Sequence, residues 1–516
     1  MSVASKPIGV GSGPLSPADV IAVARHGLPV QITDEARANI AASREIIDAL
    51  ASDSRPHYGV STGFGALANT SIAADARAQL QRNLIRSHAA GSGPEVEREV
   101  VRATMLLRLS TLATGRTGVR PVTAETYAEI LSAGITPVLH EYGSLGCSGD
   151  LAPLAHCALA LMGEGAVRNS DGKLQEAADA LRAAGIEPVE LQEKEGLALI
   201  NGTDGMLGML LLSIHDLREL LTVADITTAL SVEGLLGTDR VFQPDLHLLR
   251  PHPGQGQAAA NVLRLLERSE IVASHRGPED TRVQDAYSLR CAPAVAGGAR
   301  DTVEHASQVA SQELASAIDN PVVTLDGRVE SNGNFHGAPL AYVLDFLAIV
   351  AADVASMAER RTDRFLDAFR SHGLPPFLAD DPGLDSGYMI AQYTQAAIVS
   401  EMKRLAVPAS VDSIPSSAMQ EDHVSMGWSA GRKLRRAVDG LTRVLAVELL
   451  TAARGVELRR PLKPAPATAA VIAALRELAP GPGSDRFLAP EIELARELIA
   501  TGVIREVAEA VTGPLH

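Results

Sequence analysis

The stretch GSLGCSGDLAPLAH, Gly143 to His156, sets Cys147-Ser148-Gly149 among glycines and directly ahead of an apolar segment. Four readings fit those residue types. In the first, the triplet is only a helix entry: Gly149 frees the backbone, Ser148 or Asp150 caps, and Pro153 enters the first turn. In the second, Ser148 is a hydrolytic nucleophile. That asks for G-x-S-x-G after a strand, yet Asp150 stands where the second Gly belongs and no convincing strand precedes it. In the third, Cys147 is the nucleophile. The fourth is backbone chemistry. In a sharp bend, which glycine tolerates for want of a side chain, the Gly149 nitrogen attacks the Cys147 carbonyl. Loss of one water closes a five-membered imidazolone. Loss of a second, from the Ser148 hydroxyl, leaves an exocyclic methylene, an electrophile that no ordinary side chain supplies. Residue 147 contributes only its carbonyl, so Cys is compatible there.

Other residues carry chemistry less specifically. Tyr58 sits in HYGVSTGFGALAN beside Gly59, Gly63 and Gly65. This is a flexible loop or a phosphate cradle, but the Lys-Ser/Thr ending of a P-loop is missing. Gln284, Tyr287 and Arg290 in VQDAYSLRCAP are spaced i, i+3, i+6, so one helix or turn can aim them together. A guanidinium suits a carboxylate bidentately; an ordinary ion pair is the alternative. Asn201 in INGTDG is either a hydrogen-bonding group or a turn-forming Asn-Gly. Phe335 in SNGNFHGAP reads as core, and His88 in RSHAAG as a packed or solvated histidine. Glu421 in SAMQEDHVSMG is a carboxylate in a polar run. His247 and His252 flank a Pro in DLHLLRPHPG, so no HExxH pattern forms and no metal site is read. Asp380-Asp381 and the run ERRTDRF read as solvated faces.

The elements that must position these residues read as helices. Ser16-Pro17 is an N-cap with Pro at the first helical position, and Gly27 offers the stop. Thr33-Asp34-Glu35 opens another helix. Helical stretches follow at about 73–90, 95–112, 123–133, 150–162, 386–405, 422–451, 467–478 and 489–501. Two further apolar stretches, from Gly205 and from Ala338, are broken by His215, Asp216, Arg218 and Glu219, and by Asp345 and Asp353. A membrane span asks for about 20 mostly apolar residues, so these read as buried helices. Only LPVQI and NPVVTLDGRVE alternate like strands, the second with a hairpin at Asp326-Gly327. Without recurring strand–helix alternation a doubly wound sheet is not expected. The organisation expected is an N-terminal region, 1–205, a central long-helix bundle, 206–458, and a C-terminal helical segment, 459–516. The proline-rich RRPLKPAPAT from Arg459 is linker-like.

Net charge is -16 over 516 residues, with 3% aromatics. That argues against a nucleic-acid or anionic-membrane surface. Three cysteines make no disulfide framework and fit a reducing compartment. No apolar signal-peptide segment is visible near Met1, so a cytoplasmic location is expected.

With these residues in view, GSLGCSGDLAPLAH resembles the signature of the MIO-dependent aromatic amino acid ammonia-lyase and aminomutase family. Further blocks agree in family order: YGVSTGFG from Tyr58, LIRSHAAGSG from Leu84, EGLALINGTDG from Glu195, VQDAYSLRCAP from Val283, ASAIDNPVV from Ala315, ESNGNFHGAP from Glu330 and SSAMQEDHVSMG from Ser416. They span nearly the whole chain, and the match is to the family's histidine-specific branch of actinobacterial kind.

The resemblance implies a mainly α, fumarase/aspartase-like helical architecture and a methylidene-imidazolone (MIO) made from Cys147, Ser148 and Gly149, with no external cofactor. It implies Tyr58 as the base on a mobile loop that closes the site, with Tyr287, Glu421 and Phe335 also catalytic. It implies His88, Asn201, Gln284 and Arg290 as substrate-binding, and a homotetramer whose sites draw on more than one subunit. A phenol titrates near about 10, so a Tyr base at neutral pH asks for positive surroundings such as helix N-termini. His88 and Glu421 favour L-histidine, deaminated to trans-urocanate. A carboxylate can accept an imidazole N–H, whereas an apolar ring would strand it. A phenylalanine or tyrosine lyase or an aminomutase is the alternative. The fumarase-type signature GSSxMPxKxN is not met, since Ser416-Ser417-Ala418-Met419 continues into Gln420 and Glu421 without its Pro or Lys.

Overall fold

The structure, a computed structural model, describes residues 6–53, 55–63, 70–277, 280 and 283–516. It is mainly α, as expected, with short two- and three-stranded sheets. Contacts divide the chain into two units. The first comprises residues 1–212, 307–344 and 408–432; the second comprises residues 213–306, 345–407 and 433–516.

In the first unit the caps read from sequence form as expected. Ser16 and Asp19 make a reciprocal capping box at the start of Pro17–His26, and Gly27 ends that helix in the left-handed region at φ 68°. The expected strand within LPVQI is Val30–Ile32, paired in parallel with Ile8–Val10. The expected hairpin pairs Val322–Val323 with Val329–Glu330 around Gly327, at φ 82°. Two other small sheets were not legible. Ser92–Glu95 pairs with His140–Tyr142, and Thr136–Pro137, Ala166–Arg168 and Leu174–Glu176 form the three-stranded one. Their strands of two to four residues are too short for alternation to register.

The core of this unit is built on Arg98–Ala113, buried from Val100 to Ala113. A helix apolar on nearly every side must be covered on every side. Its two buried arginines satisfy backbone carbonyls: Arg102 donates to Val23 and Leu131, both at 3.0 Å. Burial pulls the Arg102 guanidinium down to about 10. Trp428, also buried, donates its indole N–H to the Glu141 carbonyl at 2.7 Å. Its ring lies where a Cβ on Gly205 would stand, 2.4 Å away, so only glycine permits that approach.

The second unit holds buried carboxylates at helix crossings. Glu448 pairs with Arg361 and accepts from Ser231 at 2.9 Å. Glu233 accepts from Ser269, Thr468 and the Ala465 amide, each at 2.6 Å. The proline-rich stretch from Arg459 is pinned rather than loose. The Arg459 guanidinium donates to the carbonyls of Gly234, His372 and Ser371 at 2.6–2.9 Å. The apolar helix Asp204–Gly234 belongs to a longer helical stretch whose most apolar window is wholly buried; in Ala338–Leu366 that window is 61% buried. Both are apolar and long enough to span a bilayer, and their burial fits the reading as core helices.

Candidate active site

The Cys147-Ser148-Gly149 turn is clamped on both sides. Gly149 has φ 80°, and a Cβ there would lie 2.1 Å from the Gly202 carbonyl oxygen. No side chain fits. The next amide, Asp150 N–H, donates to that same oxygen at 2.7 Å. Upstream, Ser144 Oγ accepts from the Gly146 amide at 3.1 Å and donates to Asp150 Oδ1 at 2.9 Å. Ser425 donates to the Gly146 carbonyl at 3.1 Å, and the Met426 amide donates to the Leu145 carbonyl at 2.9 Å.

Asp150 precedes Leu151–Leu161 but makes no side-chain cap there. Its Oδ2 instead accepts from the Met206 amide at 2.9 Å, in the first turn of Asp204–Gly234. Burial pushes the Asp150 carboxyl up to about 7, against the hydrogen bonds it accepts. The capping reading of the triplet is therefore corrected: Asp150 is a strut between two segments, and Ser148 faces elsewhere.

Ser148 Oγ donates to Glu421 Oε1 at 3.2 Å, across 273 positions of sequence. Glu421 is held by Ser416, whose hydroxyl donates to Oε2 at 2.7 Å and whose backbone pairs with Glu421 in an antiparallel bridge. The turn between them runs through Ser417, Ala418 and Met419 at φ 50°, 52° and 69°. Three consecutive left-handed residues with side chains cost about 1–2 kcal/mol each, which the surrounding contacts must offset.

This loop overturns the helix expected from 422. Gly427–Glu457 is the helix, because the backbone donors ahead of it are used outside it. Val424 N–H goes to Ser413 Oγ at 3.0 Å, and Met426 N–H goes to Leu145. The Cys147 thiol is pushed up to about 11 by burial and by Glu421. It stays protonated at neutral pH, against its reading as a nucleophile, since the thiolate is the reactive form.

His88 closes the helix Arg77–His88. Its Nδ1 lies 2.9 Å from the Leu84 carbonyl. An oxygen can only accept, so Nδ1 carries the proton and, in the uncharged ring, Nε2 is the acceptor. Burial pulls the His88 imidazole below its ordinary value, opposed by the Leu84 carbonyl and by the negative charge of Glu421.

Asn201 caps the end of Glu195–Ile200 and is buried. Its amide donates to the Asn320 carbonyl at 2.9 Å, while its buried Oδ1 has no partner among the described residues. Asn201 adjoins Gly202, whose carbonyl abuts Gly149. Tyr58 is half-buried in a turn, and beside it Gly59 has φ 75°, where an added Cβ would stand 3.2 Å from both Leu197 and Pro321. The expected closing loop continues into 64–69, which lie outside the described residues. Phe335 is half-buried in the turn ahead of Ala338–Leu366.

Sequence reasoning missed the buried charges behind these residues. Arg108 donates to the carbonyls of Asn201 at 3.0 Å and Ile318 at 2.8 Å, and lies 3.5 Å from Asp204. Lys194, itself left-handed at φ 74°, forms a fully buried ion pair with Asp319. Burial pulls the Lys194 ammonium down and pushes the Asp319 carboxyl up, each opposed by the other's charge. The available signal was charge inside apolar runs, as in RATMLLRLSTLA and EKEGLALI.

In the second unit Gln284, Tyr287 and Arg290 come together as their spacing suggests. Arg290 donates to Gln284 Oε1 at 2.7 Å and to the Asp285 carbonyl at 2.9 Å, and its guanidinium carbon lies 4.6 Å from the centre of the Tyr287 ring. Tyr287 is 69% exposed. Of the three, Tyr287 and Arg290 lie in the helical turn Tyr287–Arg290; Gln284 precedes it outside any helix or strand.

Comparison with known proteins agrees along the chain. The sequence pattern of the family described as aromatic amino acid lyase matches residues 15–477. A histidine ammonia-lyase of Streptomyces avermitilis is 66% identical, with 98% of this chain and 99% of that protein covered. Among solved structures, a tyrosine aminomutase of Streptomyces globisporus superposes with a TM-score of 0.94 at 39% identity, covering 99% of this chain and 100% of that one. A histidine ammonia-lyase of Trypanosoma cruzi superposes with a TM-score of 0.90 at 37% identity, covering 98% and 96%.

Proposed function

We infer the reaction from a premise that these comparisons establish: this chain belongs to the aromatic amino acid lyase family. It is a carbon–nitrogen lyase, and its reaction is removal of ammonia from L-histidine to leave trans-urocanate. The observation that carries the substrate reading is the Glu421 carboxylate, held at Ser148 with His88 close enough to feel its charge. High identity to histidine ammonia-lyases supports the same reading.

The triplet suits ring closure. Gly149 sits where a Cβ would collide with Gly202, and the orphaned Asn201 Oδ1 beside that contact awaits a donor. The MIO formed from Cys147, Ser148 and Gly149, with loss of two waters, supplies an electrophilic methylene for the substrate amine. The remaining work falls to side chains. Arg290, oriented by Gln284 and flanked by Tyr287, binds the substrate carboxylate. Glu421 accepts the imidazole N–H and His88 Nε2 borders the same ring. Asn201 Oδ1 accepts from the amine, and Phe335 packs beside the electrophile. Tyr58 removes the β-proton as the Cβ–H and C–N bonds break and ammonia departs.

The family resemblance of the site motifs supports a homotetramer in which more than one copy contributes to each site. Three free cysteines support a cytoplasmic location. Intact mass and a substrate panel test the reading together. The protein is expected to be lighter than its encoded chain by two waters and to deaminate L-histidine in preference to L-phenylalanine and L-tyrosine. Full encoded mass in active protein refutes the ring, and preferred turnover of phenylalanine refutes the substrate.

A further inference from the structure

Among the histidines that the scheme above does not use, two meet each other. His336 and His423 stack with ring centroids 5.3 Å apart and planes 24° from parallel. Nε2 of His336 lies 3.2 Å from Nδ1 of His423. At that distance one nitrogen carries the proton and the other accepts it, since two lone pairs or two N–H groups would repel. His336 directly follows Phe335, and His423 comes two residues after Glu421.

The same two loops meet at a second point. Ser425 Oγ lies 3.1 Å from where a Cβ on Gly337 would stand, and it donates to the Gly146 carbonyl of the cyclising turn. The Phe335 loop and the Glu421 loop are thus joined by the histidine pair on one hand and by the Gly337–Ser425 contact on the other. The Glu421 loop needs such restraint. It belongs to no long helix, and its left-handed run at Ser417 to Met419 makes it costly to hold. Solvent reaches the histidine pair, so the bond adds little to folding stability. Its effect lies in geometry, because recognition groups on loops depend on supporting contacts to stay within a fraction of an ångström.

We propose that the His336–His423 hydrogen bond is a positioning device: it sets the distance between Phe335 and Glu421, and so the width of the slot that admits an imidazole ring. This rests on the histidine-deaminating reading. It is tested with His336→Leu and His423→Leu, which remove the bond, and with His336→Gln and His423→Asn, whose amides stand near the lost Nε2 and Nδ1. The leucine variants are expected to keep the mass deficit of two waters. Their KM for L-histidine is expected to rise about five- to tenfold, the size of one ordinary hydrogen bond, with kcat changed less than about twofold. His423→Asn and the double variant His336→Gln/His423→Asn are expected to recover KM to within about twofold of the parent. A leucine variant with the parental KM, or an asparagine variant as impaired as the leucine one, overturns the proposal. If the leucine variants do not fold, the double variant decides alone: a KM raised about tenfold there also overturns it. A parent protein that does not deaminate L-histidine defeats the substrate reading itself. A parent that does, alongside unaffected leucine variants, defeats only the positioning role.

Discussion

Glu421→Gln isolates the charge from the shape of the side chain. Glu421 accepts two hydroxyl hydrogen bonds, from Ser148 at 3.2 Å and from Ser416 at 2.7 Å. An amide keeps one acceptor oxygen and turns the other position into a donor, so one serine must rotate to accept instead. The fold should tolerate this, because the antiparallel backbone bridge between Ser416 and Glu421 is untouched. The substrate imidazole loses a charged acceptor. A hydrogen bond to a charged group contributes about 1.5–3 kcal/mol, so kcat/KM for L-histidine should fall about 10- to 150-fold. Ring formation should continue, since Glu421 holds the Ser148 hydroxyl without being consumed. The assay is the near-UV absorbance of urocanate against substrate concentration, with intact mass measured on the same sample. A variant within about threefold of the parent on L-histidine refutes the argument that Glu421 recognises the ring. Equal losses on L-histidine and L-phenylalanine refute it too, because they place Glu421 in a step common to both.

Ser148→Ala is expected to abolish nearly all activity and to erase the two-water mass deficit. Tyr58→Phe should keep the deficit yet stop elimination; parental turnover in either variant contradicts its role. Asp150, pushed up to about 7 in the fold, holds a proton that the unfolded chain releases near about pH 4. Its contribution to stability therefore declines as pH rises between roughly 4 and 7. Asp150→Asn should flatten the pH dependence of the melting temperature over that window, by up to about 1.4 kcal/mol per pH unit, and an unchanged slope rules the assignment out. Lys194→Met strands the buried Asp319 carboxylate and should destabilise by about 3–5 kcal/mol. The double variant Lys194→Met/Asp319→Leu should recover much of that loss; equal melting temperatures for the single and double variants would show that the stranded charge is not the cause.

Local signals carried much of this protein. Ser16 and Gly27 delimit a helix because a cap is satisfied by its own neighbours. The Asp326-Gly327 hairpin forms because the turn needs a positive φ at Gly327. Gln284, Tyr287 and Arg290 meet because they share one short segment, in which Arg290 reaches back from the turn Tyr287–Arg290 to Gln284. Where sequence reading failed, distant groups had claimed local donors. The helix expected from 422 begins at Gly427 because Met426 serves Leu145 and Val424 serves Ser413. Asp150 turns its side chain away from its own helix to the Met206 amide.

By itself, then, the sequence determined the mainly helical fold and the family to which the chain belongs. Each depends on residue type and short spacing. Only the tertiary structure decided that Glu421 reaches Ser148 across 273 positions and that Gly202 excludes any side chain at Gly149. It alone decided that Arg108, Lys194, Asp204 and Asp319 sit buried behind Asn201. Long-range pairing leaves no trace in local pattern. A buried charge in an apolar run signals only that some partner must exist, and packing chooses which.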